Sequence, residues 1–247
     1  MSVNICIDWG NTNVKAAIFN NDTIQKQFTF SAEDAMGKVT DIMNQYQPVK
    51  AIICSVVKQS GEVESLVRSK INSTVVLDAN TNLPIYNGYL SADTLGPDRL
   101  ALVCAAHALH PGKNNLVISA GTCVTYNFVT KNKMFRGGAI SPGLQMRLNA
   151  MHSFTGKLPQ VDMEGELIML GYDTATCMRS GAAYGIAFEI DGMVNEYAAT
   201  QPDFNAILTG GDAPFFASKI KSKIFADPDL LLKGLNLILN HNVSSPS

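Results

Sequence analysis

Charge is scarce in this sequence and balanced in sign. Of its 247 residues, 16% are Asp, Glu, Lys or Arg, 19 basic against 21 acidic, for a net charge of −2. Without a basic surplus it is not a general nucleic-acid binder, and any phosphorylated ligand must be held by local geometry. Cysteine is also sparse. Cys6, Cys54, Cys104, Cys123 and Cys177 stand singly, with no C-x-x-C. An odd, dispersed set inside apolar runs excludes a disulfide framework and fits reduced thiols in the cytoplasm. Long uncharged apolar runs are missing: the stretch around 181–199 carries Glu189, Asp191 and Glu196, which excludes a membrane span. The first eight residues lack a basic region and end in Asp8, unlike a signal peptide. Absent too are G-x-x-x-x-G-K-[ST], G-x-G-x-x-G, H-E-x-x-H and G-x-S-x-G. Their absence removes the P-loop, the Rossmann site, the zincin helix and the hydrolase elbow.

What is present reads as α/β. The composition is 46% hydrophobic with 19 Gly and 10 Pro, a globular profile. The length suits one large core or two of about 120 residues each. Apolar β-prone runs at 3–7 and 14–19 flank Asp8-Trp9-Gly10-Asn11-Thr12-Asn13, which predicts a hairpin. Helical spacing follows at 32–46 and 62–70, strands at 51–57 and 74–77, and a helix opens at Pro97. The pattern then restarts with strands at 115–119, 124–129 and 134–140. Helices are expected at 143–152, 164–170, 174–199, 213–222 and 228–240, with a strand at 206–209. Ile5-Cys6-Ile7-Asp8-Trp9-Gly10-Asn11-Thr12 aligns with Leu116-Val117-Ile118-Ser119-Ala120-Gly121-Thr122, about 110 residues on, which suggests a duplicated domain rather than a solenoid repeat. The expectation is two hairpin-led halves, residues 1–112 and 113–247, facing each other across a central cleft.

Three glycine turns at strand ends could cradle phosphates with backbone N–H groups: Gly10-Asn11-Thr12, Gly121-Thr122 and Gly210-Gly211. Asp8 could hold Mg²⁺ through water, and Lys15 on the next strand could reach the same phosphates. An ordinary Asx-turn hairpin has the same residues. Trp9 is read as a packing residue on the other face of its strand. In Leu95-Gly96-Pro97-Asp98-Arg99, Pro97 and Asp98 suit a helix start. The same pair could serve an acidic hydroxyl substrate, Asp98 taking the hydroxyl proton and Arg99 holding a carboxylate. The residues alone leave those two readings level.

The ordered set is more specific than any part. It comprises Asp8-x-Gly10-Asn11-Thr12, Tyr89 followed by Leu95-Gly96-x-Asp98-Arg99, Gly121-Thr122, and Gly137-Gly138-x-Ile140-x-Pro142-Gly143. Leu158-Pro159, Gly171-x-x-Thr174, Gly181-x-x-x-Gly185 and Thr209-Gly210-Gly211 complete it. Together they resemble the type III pantothenate kinases. The resemblance implies two duplicated actin-like, ribonuclease-H-like domains of the acetate and sugar kinase superfamily. It also implies phosphorylation of pantothenate by ATP, the first step of coenzyme A synthesis, in a cytoplasmic homodimer. On that basis Asp8, Trp9, Gly10, Asn11, Thr12, Asn13, Val14, Lys15 and Thr122 bind ATP, with Mg²⁺ at Asp8. Tyr89, Gly96, Pro97, Asp98, Arg99 and Thr174 bind pantothenate, and Asp98 is the base. The alternative is a nucleotide-binding accessory protein of the same fold without kinase activity. The sequence departs from the pattern at Ser119, where relatives carry an Asp linked to a monovalent cation (K⁺ or NH₄⁺), and at Asn127, another frequent Asp. The expectation is weak or no dependence on K⁺.

Overall fold

The computed structural model describes residues 3–57 and 60–243. The outer ends of the expected halves, residues 1–2 and 244–247, lie outside the described residues, as does the start of the stretch compared with a signal peptide. Among the described residues no helix is long and apolar enough to cross a membrane.

In the first unit β1 (Val3–Trp9) and β2 (Val14–Asn20) form the expected hairpin, with Asp8 opposite Lys15. β3 (Thr23–Phe30) extends it through a turn in which Asn21 takes φ +52°. β4 (Lys50–Ser55) and β5 (Ser73–Val76) then join in parallel, each after a helix: α1 (Ala35–Tyr46) and α2 (Gly61–Lys70). The sheet order is β3-β2-β1-β4-β5. β1 reads as a continuous apolar run because both faces are covered. Ile5, Ile7 and Trp9 pack with Val39, Ile42 and Val67 on one face. On the other, Cys6, Ile52 and Cys54 pack with Leu100, Val103, Leu235 and Ile238 of α3 (Pro97–Leu109) and α7 (Leu230–Asn242). Each such aliphatic side chain contributes about 1.5–3 kcal/mol when fully buried.

The second unit repeats this wiring. β7 (Asn114–Ala120), β8 (Cys123–Val129), β9 (Met134–Pro142, its first three residues counted with the first unit), β10 (Phe204–Thr209) and β11 (Phe225–Ala226) lie in the order β9-β8-β7-β10-β11, the order of the first sheet strand for strand, and the short β6 (Tyr86–Asn87) adds a sixth strand beside β9. β10 runs parallel to β7, and β11 to β10. The helices are α4 (Leu144–Ser153), the 27-residue α5 (Thr174–Thr200) and α6 (Ala213–Ala217).

Four expectations need correction. The two compact units are not contiguous halves: Met1–Pro111, Val129–Arg136 and Asp229–Ser247 form one, Gly112–Phe128 and Gly137–Pro228 the other. The break at residues 111 and 112 falls where the expected halves meet, but α7 closes the first core, its Leu235, Ile238 and Leu239 fully buried there. Residues 164–170 are not helical. Gly165 sits at φ +118° with the Arg179 guanidinium against it, a backbone state that a helix cannot use. α6 stops at Ala217. Cys123 is only half-buried and Cys177 is exposed, so the core thiols are Cys6, Cys54 and Cys104.

Candidate active site

Asp8 is next to last in β1, on the face it shares with Cys6, while Trp9 ends the strand on the opposite face. Trp9 is 4% exposed and Val14 fully buried, so both side chains belong to the core. The turn between them is closed by the Gly10 N–H donating to the Asn13 carbonyl at 3.1 Å. Asn11, Thr12 and Asn13 are exposed. Asp8 itself is 8% exposed. Burial, and then the charge of Asp98, push its carboxyl up to about 7, against the pull of Lys15. Cys54, beside Asp8 on β4, has its thiol pushed up by burial and by both carboxylates.

Asp98 comes to this place through the start of α3. Gly96 is the N-cap, Pro97 opens the first turn, and the Arg99 N–H donates to the Gly96 carbonyl at 3.1 Å. A Cβ on Gly96 would lie 2.5 Å from Asp98 Oδ1, so the carboxylate folds back over the cap and would have to turn aside for a side chain there. Burial raises the Asp98 carboxyl above its ordinary value, opposed by the Arg99 backbone N–H and the Arg99 charge. A buried carboxylate beside a second negative charge, with one lysine across the hairpin, is short of positive charge. That suits a hydrated divalent cation, which takes one or two carboxylates and fills its other positions with water and phosphate oxygens. Among the described residues no group of three or more His, Cys, Asp or Glu could cage a metal.

Arg99 is 5% exposed. Its guanidinium lies over the rings of Tyr89 and Phe135, at 5.3 and 5.7 Å, and those rings stack on each other at 6.0 Å. β6 (Tyr86–Asn87) brings Tyr89 there by pairing in parallel with Met134 and Phe135. The Gly88 N–H donates to the Phe135 carbonyl at 3.0 Å. Two cavities open beside these elements. One of about 470 Å³ is lined by Gly88, Tyr89, Leu90, Ser91 and Arg136. The other, of about 330 Å³, lies between residues 55–57 and 93–97, against the N-terminus of α3.

In the second unit the remaining glycine turns meet at the end of β7. A Cβ on Gly210, at φ +98°, would fall 2.2 Å from the Ala120 carbonyl oxygen, and one on Gly143 would fall 2.0 Å from that of Gly121. Backbone therefore packs on backbone around Gly121 and the exposed Thr122. Ser119 pairs with the buried Thr209, so the two adjacent strands carry hydroxyls at this level. Asn127 is buried and donates to Thr125 Oγ1 at 3.0 Å. Thr174 is exposed in the first turn of α5, after Asp173, which caps that helix by accepting from the Thr176 N–H at 2.7 Å. Thr174 lines a cavity of about 470 Å³ with Met151, Leu158, Tyr172 and Cys177.

Residues 4–196 match the sequence model of the type III pantothenate kinases. A type III pantothenate kinase of Bacteroides fragilis is 43% identical over 97% of this chain and 98% of its own. The chain belongs to the type III pantothenate kinase family. Solved structures similar to it include a Baf-family protein of Campylobacter jejuni, with TM-score 0.61 and 20% identity over 98% of this chain and 100% of that one. A polyphosphate/ATP-glucomannokinase of Arthrobacter gives TM-score 0.52 and 13% identity over 99% of both chains. These likenesses show the fold, a duplicated actin-like α/β architecture, which agrees with the repeated strand order. Membership in this kinase family brings ATP with a divalent metal. Sequence reasoning missed Phe135, Arg136 and Cys54 at the first unit's site. The apolar alternation of β9 and the Gly88 turn were the signals for Phe135, since a glycine in a loop marks a close backbone approach.

Proposed function

We propose that this type III pantothenate kinase transfers the γ-phosphoryl group of ATP to the primary hydroxyl of pantothenate, the first step of coenzyme A synthesis, with Asp98 as general base. The observation that carries the assignment of the base is a half-buried carboxylate, held over Gly96, whose charge acts on Asp8 at the mouth of the phosphate hairpin. The hydroxyl oxygen attacks the γ-phosphorus, and a new O–P bond forms. The bond from that phosphorus to the β–γ bridging oxygen breaks, ADP leaves with the electron pair, and the hydroxyl proton passes to Asp98. A divalent cation bound with ATP neutralises charge on the phosphate oxygens. Asp8 would hold it through water, and Lys15 would add a positive charge.

Family motifs support Asp8, Trp9, Gly10, Asn11, Thr12, Asn13, Val14, Lys15 and Thr122 as ATP contacts, Trp9 and Val14 acting through backbone. They support Tyr89, Gly96, Pro97, Asp98, Arg99 and Thr174 as pantothenate contacts. The first unit thus carries the phosphate hairpin and the substrate loop, and the second unit the second phosphate turn. A cytoplasmic homodimer fits the apolar side chains left exposed on the second unit, among them Met146 on α4 and Phe188 on α5. Neutral Ser119 and Asn127 support catalysis without K⁺ or NH₄⁺, because neutral oxygens attract a monovalent cation far less than carboxylates do.

A coupled ADP-release assay tests the reading. ADP appears only when pantothenate is present, and Asp98→Asn lowers kcat by about 100-fold or more. Comparable turnover by that variant removes Asp98 from the role of base. Exchanging potassium for a bulky organic cation leaves the wild-type rate unchanged; a many-fold potassium stimulation contradicts the Ser119 reading.

A further inference from the structure

Arg136 is a cation without an assignment. It follows Phe135 on β9, so the pleat sends Phe135 into the core beneath Arg99 and Arg136 outward. Its side chain is exposed. Among the described residues it makes no ion pair and no side-chain hydrogen bond. It lines the cavity of about 470 Å³ with Gly88, Tyr89, Leu90 and Ser91, none of them acidic. Its charge is therefore unneutralised and faces a space of the size that small-molecule sites use. Arg99, on the other side of the Tyr89 ring, is enclosed against two aromatic faces.

We propose that Arg136 is a specificity-determining residue, a second guanidinium that receives the carboxylate of the acceptor in the Tyr89 cavity. The proposal rests on the reading of the acceptor as pantothenate, an anionic hydroxy acid. A guanidinium offers a carboxylate two parallel N–H donors, and the absence of acidic neighbours keeps both available. Arg99, besides its contact to pantothenate, holds the Tyr89 and Phe135 rings, and with them the cavity wall, in place.

Steady-state kinetics on the full chain test this with Arg136→Ala, Arg136→Lys and Arg136→Glu. Arg136→Ala raises the KM for pantothenate about tenfold, the effect of losing one charge-assisted contact. Arg136→Glu raises it further, and Arg136→Lys recovers part of the loss. The kcat, the KM for ATP and the melting temperature stay as in wild type, which a merely structural residue would not allow. An active wild type whose Arg136→Ala and Arg136→Glu variants keep its pantothenate KM overturns this proposal alone. A wild type inactive on pantothenate overturns both this proposal and the functional reading beneath it.

Discussion

Asp8 is pushed from 3.8 up to about 7, chiefly because burial strips water from its carboxylate. The folded protein therefore favours the protonated form over the unfolded chain. That contribution to stability is complete below the unfolded value near 3.8 and is lost as pH rises through about 7. Asp8→Asn removes the charge and keeps the shape. In metal-free protein the variant melts higher than wild type at pH 8 by about a few degrees. The gap narrows as pH falls below about 7 and closes only near 3.8, and turnover is lost. Scanning calorimetry across that range checks this, and a variant that melts lower at pH 8 contradicts it. The residues of this cluster were legible in the chain as a Gly-Asn-Thr turn and an Asp-Arg pair. Their coupling was not, because Asp8 and Asp98 are 90 positions apart and only packing sets the distance between them.

Among the elements, the α3–α7 contact constrains the helix that carries Asp98. A Cβ on Gly234 would lie 2.0 Å from the Ala101 carbonyl oxygen, so the helices cross with backbone against backbone. α3 carries Asp98 and Arg99 at its start, so its seating on α7 bears on the position of both. Gly234→Ala forces the helices apart and destabilises the fold by about 1–3 kcal/mol, read as a lower urea midpoint at unchanged slope. An unchanged midpoint would show that the crossing gives way without strain. The periodicity of both helices was readable, as were β1, β2, β4, β7 and β8, because each is a dense apolar run. β3 was not, because its Thr23, Gln25, Lys26 and Gln27 make an exposed edge strand without an apolar signal. The helix expected at 164–170 failed for the opposite reason: apolar spacing was present, but Gly165 took a backbone state outside the helical region.

At the scale of the molecule, the chain returns at Asp229 to finish the unit it began with. Ending it after Pro228 strips Leu232, Leu235, Ile238 and Leu239 from the core that they share with Cys6, Leu100 and Val103. Such a truncation loses cooperative folding. The emission of Trp9, the single tryptophan and 4% exposed in the native state, then moves to the red. A cooperative melt with unshifted emission would show that the first unit closes without α7. The sequence by itself determined the duplicated strand-turn-strand pattern, the glycine turns, the Asp98–Arg99 helix start and the family, since each is written within a few adjacent residues. Only the tertiary structure decided which unit α7 completes, which rings Arg99 lies against, and how far Asp8 is lifted. Those outcomes depend on desolvation and on contacts between distant positions, which no local pattern encodes.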